Sequence, residues 1–192
     1  MTPTVGVLAL QGDFREHRAV LASLGASVRE VRLPEDLDGI EAIVIPGGES
    51  TTIGKLAVRF GLLDPLKTLI HEGLPTYGSC AGLIFCAMGV TEGDQPLLEV
   101  LDVVVQRNAF GRQNESFEQD LSVQGLPDPF HGVFIRAPWV AKVGTGVEIL
   151  AAVDDHPVMV RQQHIIGTSF HPELTDDPRI HRMLLEMIPG RS

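Results

Sequence analysis

The chain has 192 residues, enough for one α/β domain with a proper core and short for two. Its 44% hydrophobic and 21% charged residues are those of an ordinary globular protein, and a formal charge of −10 argues against general binding to nucleic acid or an anionic membrane. Met1-Thr2-Pro3-Thr4 lacks the basic region of a signal peptide, no apolar run reaches transmembrane length, and cysteines at 80 and 86 suit neither a disulfide framework nor a zinc site. A cytoplasmic location is therefore expected.

Val5-Gly6-Val7-Leu8-Ala9-Leu10 is a continuous apolar run, the mark of a strand covered on both faces. Gln11-Gly12-Asp13 breaks it, Phe14 to Leu24 carries helical spacing, and Gly25 stops that helix. Strands follow at Val28–Leu33 and Ala42–Ile45, so the order β-α-β-β points to a mainly parallel sheet. Pro46-Gly47-Gly48-Glu49-Ser50-Thr51-Thr52 then leads into a helix ending near Phe60. It is not a phosphate-binding loop: the spacing from Gly48 to Gly54 is too long, and Lys55 precedes Leu56 where Ser or Thr is needed. Two readings stay open, a ligand-facing loop at the sheet's C-terminal edge or a plain turn capped by Ser50 or Thr51.

A helix over Asp64–Glu72 ends at Gly73. Pro75 to Phe85 then reads as a short buried strand, a sharp turn and an apolar helix over Leu83–Met88. Cys80 stands at the centre of Gly78-Ser79-Cys80-Ala81-Gly82, the thiol form of a nucleophile elbow. At the start of a helix, bare N–H groups and the positive dipole end favour a thiolate and can receive an oxyanion. The alternative is a buried structural cysteine, the common fate of free cysteines. Cys86, among Ile84, Phe85 and Met88, reads as core.

Beyond Leu97 the texture becomes β-rich. A strand at Val100–Val105 precedes the polar segment Gln106–Gln113, and short strands follow near Asp120–Val123, Val133–Ile135, Trp139–Val143, Ile149–Val153, Val158–Arg161 and Ile165–Ser169. Asp154-Asp155-His156-Pro157 and Gln162-Gln163-His164 read as turns, and a helix over Pro178–Ile188 closes the chain. With no linker or repeat, residues 1–192 are expected to form one domain, the β-rich half built onto the same sheet.

A cysteine nucleophile needs a base, and the base needs a group to orient it. His171-Pro172-Glu173, at the end of a buried strand, offers both. Of the seven histidines, His17, His71 and His181 fall in helical stretches and His156 in a turn, all read as helix-face or surface residues. His131 and His164 read as structural. No pair has metal-ligand spacing, and no metal is expected.

The elbow and His171-Pro172-Glu173 resemble the class I, triad-type glutamine amidotransferases. Within that family the chain is similar to the glutaminase subunits of pyridoxal 5′-phosphate synthase. The narrower resemblance rests on blocks in order: Leu8–Asp13, Pro46–Thr52, Arg107–Gln113, Phe134–Pro138 and Thr168–Leu174. It implies a single α/β/α domain with a mixed, flavodoxin-like sheet. It implies that Cys80 attacks the side-chain amide of L-glutamine, with His171 as base and acid and Glu173 as orienter. Backbone N–H groups around Gly47-Gly48 and at Ala81 would hold the oxyanion. Glu49, Arg107, Ile135 and Arg136 would line the glutamine pocket together with Gly47 and Gly48. An arginine and a glutamate suit the carboxylate and ammonium of an amino acid.

No cofactor is implied. The implied partner is a (β/α)8-barrel synthase subunit that receives the ammonia, and Gln11 is a candidate for relaying that contact, or else a turn cap. Two other readings remain at this stage. One is a glutaminase serving another synthase, and the other is a redox-sensing or chaperone-like α/β protein with an exposed elbow cysteine.

Overall fold

The computed structural model describes residues 2–110 and 116–190. A sheet of seven strands organises it. In chain order these are β1 (Thr4–Leu8), β2 (Ser27–Val31), β3 (Ala42–Ile45), β4 (Thr76–Ser79), β10 (Glu148–Val153), β11 (His156–Gln162) and β12 (Ile165–Thr168), laid out as β10-β11-β12-β4-β3-β1-β2. The neighbours from β2 to β12 pair in parallel, and β12, β11 and β10 pair antiparallel. The sheet is mixed and mainly parallel, as expected.

Alternation along the strands builds two cores from one sheet. In β3, Ile43 and Ile45 enter one apolar cluster while Ala42 and Val44 enter the other, because successive side chains point to opposite faces. The first cluster is closed by α2 (Ser50–Arg59), α3 (Leu63–His71) and α4 (Ala81–Cys86) through Ile53, Leu66 and Phe85. The second is closed by α1 (Phe14–Ser23) and α5 (Arg179–Glu186) through Leu21, Ile180 and Leu184. The central strands β1, β3, β4 and β12 are buried on both sides, which is why β1 and β3 read as unbroken apolar runs.

The β-rich half departs from expectation, because only β10, β11 and β12 extend the main sheet. The strands β5 (Ala87–Val90), β6 (Leu101–Gln106) and β9 (Trp139–Val143) form a three-stranded sheet, and β7 (Ser116–Leu121) pairs with β8 (Phe130–Ile135). These pieces cover faces instead of prolonging an edge. Val103, Val105 and Val140 seal the first core, while Phe130 and Phe134 seal the second, with Phe117 stacked on Phe134 at 4.4 Å.

The helix expected over Leu83–Met88 runs instead over Ala81–Cys86, where the chain turns extended at Ala87 and joins β6. Met88 is consequently half exposed and no part of the core. His156 opens β11 and stacks on Trp139 at 3.6 Å, so only Asp154 and Asp155 make the turn. Of the polar segment Gln106–Gln113, Gly111, Arg112 and Gln113 lie outside the described residues.

Topology decides where a site can form. The chain leaves β1 for the edge strand β2 and returns to β3 on the other side of β1, so a crevice opens at the carboxyl ends of β1 and β3. Gln11, Gly47-Gly48, Cys80 and His171 all follow the carboxyl ends of β1, β3, β4 and β12 respectively. Cys86, six residues beyond Cys80, is fully buried, and burial pushes its thiol up to about 12. Cys86 is expected to resist thiol reagents until the protein unfolds, and Cys86→Ala to lower unfolding stability by about 1–2 kcal/mol. Reagent counting and urea melts check both expectations.

Candidate active site

The β4–α4 turn holds Cys80 at φ 49° and ψ −98°, a conformation disfavoured for a residue with a Cβ. Neighbours enforce it. The Cys80 N–H donates to the Thr168 carbonyl at 2.7 Å, and the Cys80 carbonyl accepts from Ile84 at 3.2 Å. Gly82 lies so close to the Ile45 carbonyl that any Cβ there would collide with backbone, which explains the glycine of the elbow. The Ala81 N–H, in the first turn of α4, has no intrahelical acceptor.

His171 is 4% exposed and Glu173, in the 3-10 turn Pro172–Leu174, is 6% exposed. The His171 Nδ1 lies 2.7 Å from the Glu173 Oε1. That leaves Nε2 as the nitrogen free to engage the Cys80 thiol, which lines the same cleft. Burial works against a charged His171, but the hydrogen bonds to Cys80 and Glu173 outweigh it and push its pKa up to about 10. Burial likewise opposes charge on Glu173, yet His17 and His171 hold it well below the usual carboxylate range. A base with raised proton affinity beside an ionised carboxylate is suited to take a thiol proton and return it to a leaving group.

The cleft in front of these groups measures about 420 Å³ and is lined by Gln11, Gly48, Cys80, Ala81, Arg107, Ile135, Arg136 and His171, with Glu49 at its mouth. Glu49 caps α2. Its carboxylate accepts from Thr51 N–H at 3.1 Å and Thr52 N–H at 2.7 Å, the capping role expected of Ser50 or Thr51. Burial disfavours its charge, but hydrogen bonds from Thr52 and Thr51 prevail and keep its pKa below the ordinary value. Arg107 donates from Nη2 to Glu49 at 3.2 Å and from Nη1 to Thr51 at 3.3 Å and Gln95 at 3.2 Å. The two side chains expected to meet the substrate's charges are thus paired with each other in the cleft lining.

Gly47 stands differently from Gly48. It backs onto the His171 ring, where an added Cβ would meet Cε1 at 2.5 Å, and its carbonyl accepts from Asp13 N–H at 3.0 Å. Gln11 reaches this loop, its Oε1 accepting from Glu49 N–H at 2.7 Å. Ile135 ends β8 half exposed, and Arg136 follows in the left-handed region at φ 43°.

Four participants escaped the sequence reading. Gln95 anchors Arg107 from a loop that periodicity does not mark. Asp13, whose Oδ2 lies 3.7 Å from His171 Nδ1, was visible only as a turn residue; burial and then Glu173 raise its pKa, against the opposing pull of His171. His17 and His181 are not surface residues. Both are fully buried, His17 behind Glu173. Their helical spacing was legible, but which helix face met the sheet was not. The other histidines are accounted for by local contacts: His164 binds the Ile70 carbonyl, His131 bridges Glu118 and Asp120 at the surface, and His71 is exposed.

Asp13, His171 and Glu173 lie within 4.8 Å of one another through their ligating atoms, a spacing that a cation also tolerates. The ring nitrogen facing both carboxylates is already hydrogen-bonded to Glu173 at 2.7 Å, so the group is arranged around a proton.

A family model described as the SNO glutamine amidotransferase family matches residues 7–189. A protein of Thermus thermophilus named pyridoxal 5′-phosphate synthase subunit PdxT is 56% identical over 189 residues, covering 97% of this chain and 98% of its own. One of the same name from a Parafrankia species is 57% identical over 189 residues, covering 97% and 93%. A crystal structure titled glutamine amidotransferase superposes with TM-score 0.92 at 55% identity, covering 96% of this chain and 98% of that one. The PurLQS structure from Thermotoga maritima, at 17% identity and TM-score 0.70 over 98% of each chain, shares the fold alone.

With its pKa raised from 6.5 to about 10, His171 contributes stability that is fully present below about pH 6.5 and lost as pH rises through about 10. The ring resonances of His171 are expected to titrate near that upper value by NMR, and Glu173→Gln to bring the titration down. The stability advantage of wild type over Glu173→Gln should shrink between those pH values; a gap that stays constant would contradict the assignment.

Proposed function

The chain belongs to the SNO glutamine amidotransferase family, and from that premise we propose that it is the glutaminase subunit of a pyridoxal 5′-phosphate synthase. It hydrolyses L-glutamine to L-glutamate and ammonia and passes the ammonia to a synthase subunit for vitamin B6 synthesis. The observation that carries the reading is Cys80, held in a strained elbow against an imidazole that a buried carboxylate orients. Relatives above half identity over nearly the whole chain bear the name of that subunit.

In this reading the Cys80 Sγ attacks the side-chain amide carbon of glutamine with the thiol proton held on His171. His171 then protonates the departing nitrogen, ammonia leaves, and a thioester remains on Cys80. Water, deprotonated by the same imidazole, releases glutamate. Glu173 keeps the Nδ1 proton in place so that Nε2 faces the chemistry. The developing oxyanion is received by the Ala81 N–H and by the Gly47-Gly48 loop. Arg107 takes the substrate carboxylate and Glu49 its ammonium, with Ile135 and Arg136 forming the wall. These steps call on no cofactor and no metal.

The partner we propose is a (β/α)8-barrel subunit, neither nucleic acid nor membrane, and the setting the cytoplasm. Among the described residues no helix is long and apolar enough to cross a membrane. Ammonia freed into neutral water is mostly protonated and no longer nucleophilic, so hydrolysis is useful only when the acceptor is docked. The glycine loop is suited to such control, since glycine accepts a rotated peptide cheaply. Gln11 already touches it through the Glu49 N–H.

Glutamate release, measured with and without saturating synthase subunit, tests the reading. Wild type is expected to be active and to accelerate on docking, and Cys80→Ala to be inactive in both conditions. His171→Asn should lose orders of magnitude and Glu173→Gln less. Gln11→Ala should respond weakly to the partner. Full activity in Cys80→Ala would refute the mechanism.

A further inference from the structure

Glu173 is held from behind as well as from the cleft. His17, on α1, places Nε2 at 3.4 Å from the Glu173 Oε1, and its Nδ1 lies 2.8 Å from His181 Nε2, on α5. Both rings are fully buried, and the Tyr77 ring packs edge-on against them at 5.9 and 5.6 Å. Neither histidine lines the cleft, so neither touches substrate.

We propose that His17, backed by His181, is a positioning residue that keeps its Nε2–H directed at Glu173 and so steadies the carboxylate that orients the His171 base. The inference rests on the glutaminase reading above for its catalytic consequence, though not for the contact itself.

The argument is one of proton assignment. An ionised carboxylate only accepts, so the His17 nitrogen facing it must carry hydrogen. With its hydrogen on Nε2 alone, His17 presents a bare Nδ1, and the 2.8 Å contact then draws its hydrogen from His181 Nε2. The one ring nitrogen left over, His181 Nδ1, is a bare lone pair without a partner, while His17 Nε2, 3.4 Å from the Glu173 Oε1, faces the carboxylate without forming a hydrogen bond of good geometry. Burial, the largest cause, pushes His181 down to about 3, which keeps it neutral. The ring N–H groups thus point one way, from α5 through α1 toward the Glu173 Oε1, which lies 2.7 Å from the His171 Nδ1.

The other groups facing this cluster do not replace His17. Ser79 Oγ reaches both Glu173 oxygens at 3.3 and 3.2 Å, but its one hydroxyl hydrogen is shared between the two acceptors. The Tyr77 hydroxyl is engaged with Thr168 at 2.9 Å, and Asp13 brings a second carboxyl that favours protonation of Glu173. Without the His17 donor, Glu173 is left with fewer partners in a dry site, so it binds a proton more readily and swings more freely.

Glutamine hydrolysis by the complex with its synthase subunit tests this in wild type, His17→Leu and His17→Gln. Gln carries an N–H donor on a chain long enough to stand in for imidazole Nε2; Leu carries none. In His17→Leu, kcat is expected to fall about 10-fold or more with KM within about 2-fold, and the acid limb of the kcat–pH profile to move upward. His17→Gln should recover most of both. A folded His17→Leu with wild-type kcat and acid limb would overturn the proposal, as would a His17→Gln as impaired as His17→Leu, which marks a packing role only.

Ring nitrogen-15 NMR of the resting wild-type protein reads the contact without any activity. A protonated His17 Nε2 near neutral pH supports it, and an unprotonated one sinks it, even if His17→Leu fails to fold. If wild type releases no glutamate, the functional reading fails while the NMR result still decides the contact.

Discussion

A carboxylate buried beside the catalytic machinery has to be satisfied from every side, and that constraint shapes much of this molecule. Glu173 is nearly inaccessible yet held in its ionised form, against the strong preference of a dry interior for the neutral acid. Its neighbours come from four parts of the chain: His171 after β12, Ser79 from β4, His17 from α1 and, one step behind, His181 from α5. Each element must sit correctly on the sheet for the carboxylate to be tolerated. Fold and site are therefore coupled, and the α1–α5 face serves the chemistry without touching the cleft.

The opposite wall of the cleft is built on a different principle. There the glycine loop places backbone close to the imidazole, and the first charged side chain, Glu49, is spent on capping α2 and pairing with Arg107. The Gly47-Gly48 peptide is closely packed, Gly47 against the His171 ring and Gly48 against Gln11, an approach that only glycine allows. The carboxyl-edge placement of all these pieces follows from the return of the chain to β3 across β1, the position at which open α/β sheets bind ligands.

Much of this was legible before any coordinates. Apolar runs such as Val5–Leu10 and Ala42–Ile45 report strands buried on both faces, and the Gly78–Gly82 elbow and His171-Pro172-Glu173 report their own local geometry. What escaped depended on long-range packing. Strands β5 to β9 pair among themselves, because local alternation does not say which sheet a strand joins. His17 and His181 looked like helix-face residues, since helical spacing does not reveal which face docks. Gln95 sits in a loop with no pattern at all, and only the fold brings it to Arg107.

The most direct measurement is the reaction of the native protein with a glutamine analogue carrying an electrophile at the side-chain carbonyl, followed by peptide mass spectrometry. A single adduct on Cys80, suppressed by excess L-glutamine and absent in Cys80→Ala, is the expected result. An adduct on Cys86, or labelling of Cys80 that glutamine does not suppress, would contradict a glutamine site built around the elbow.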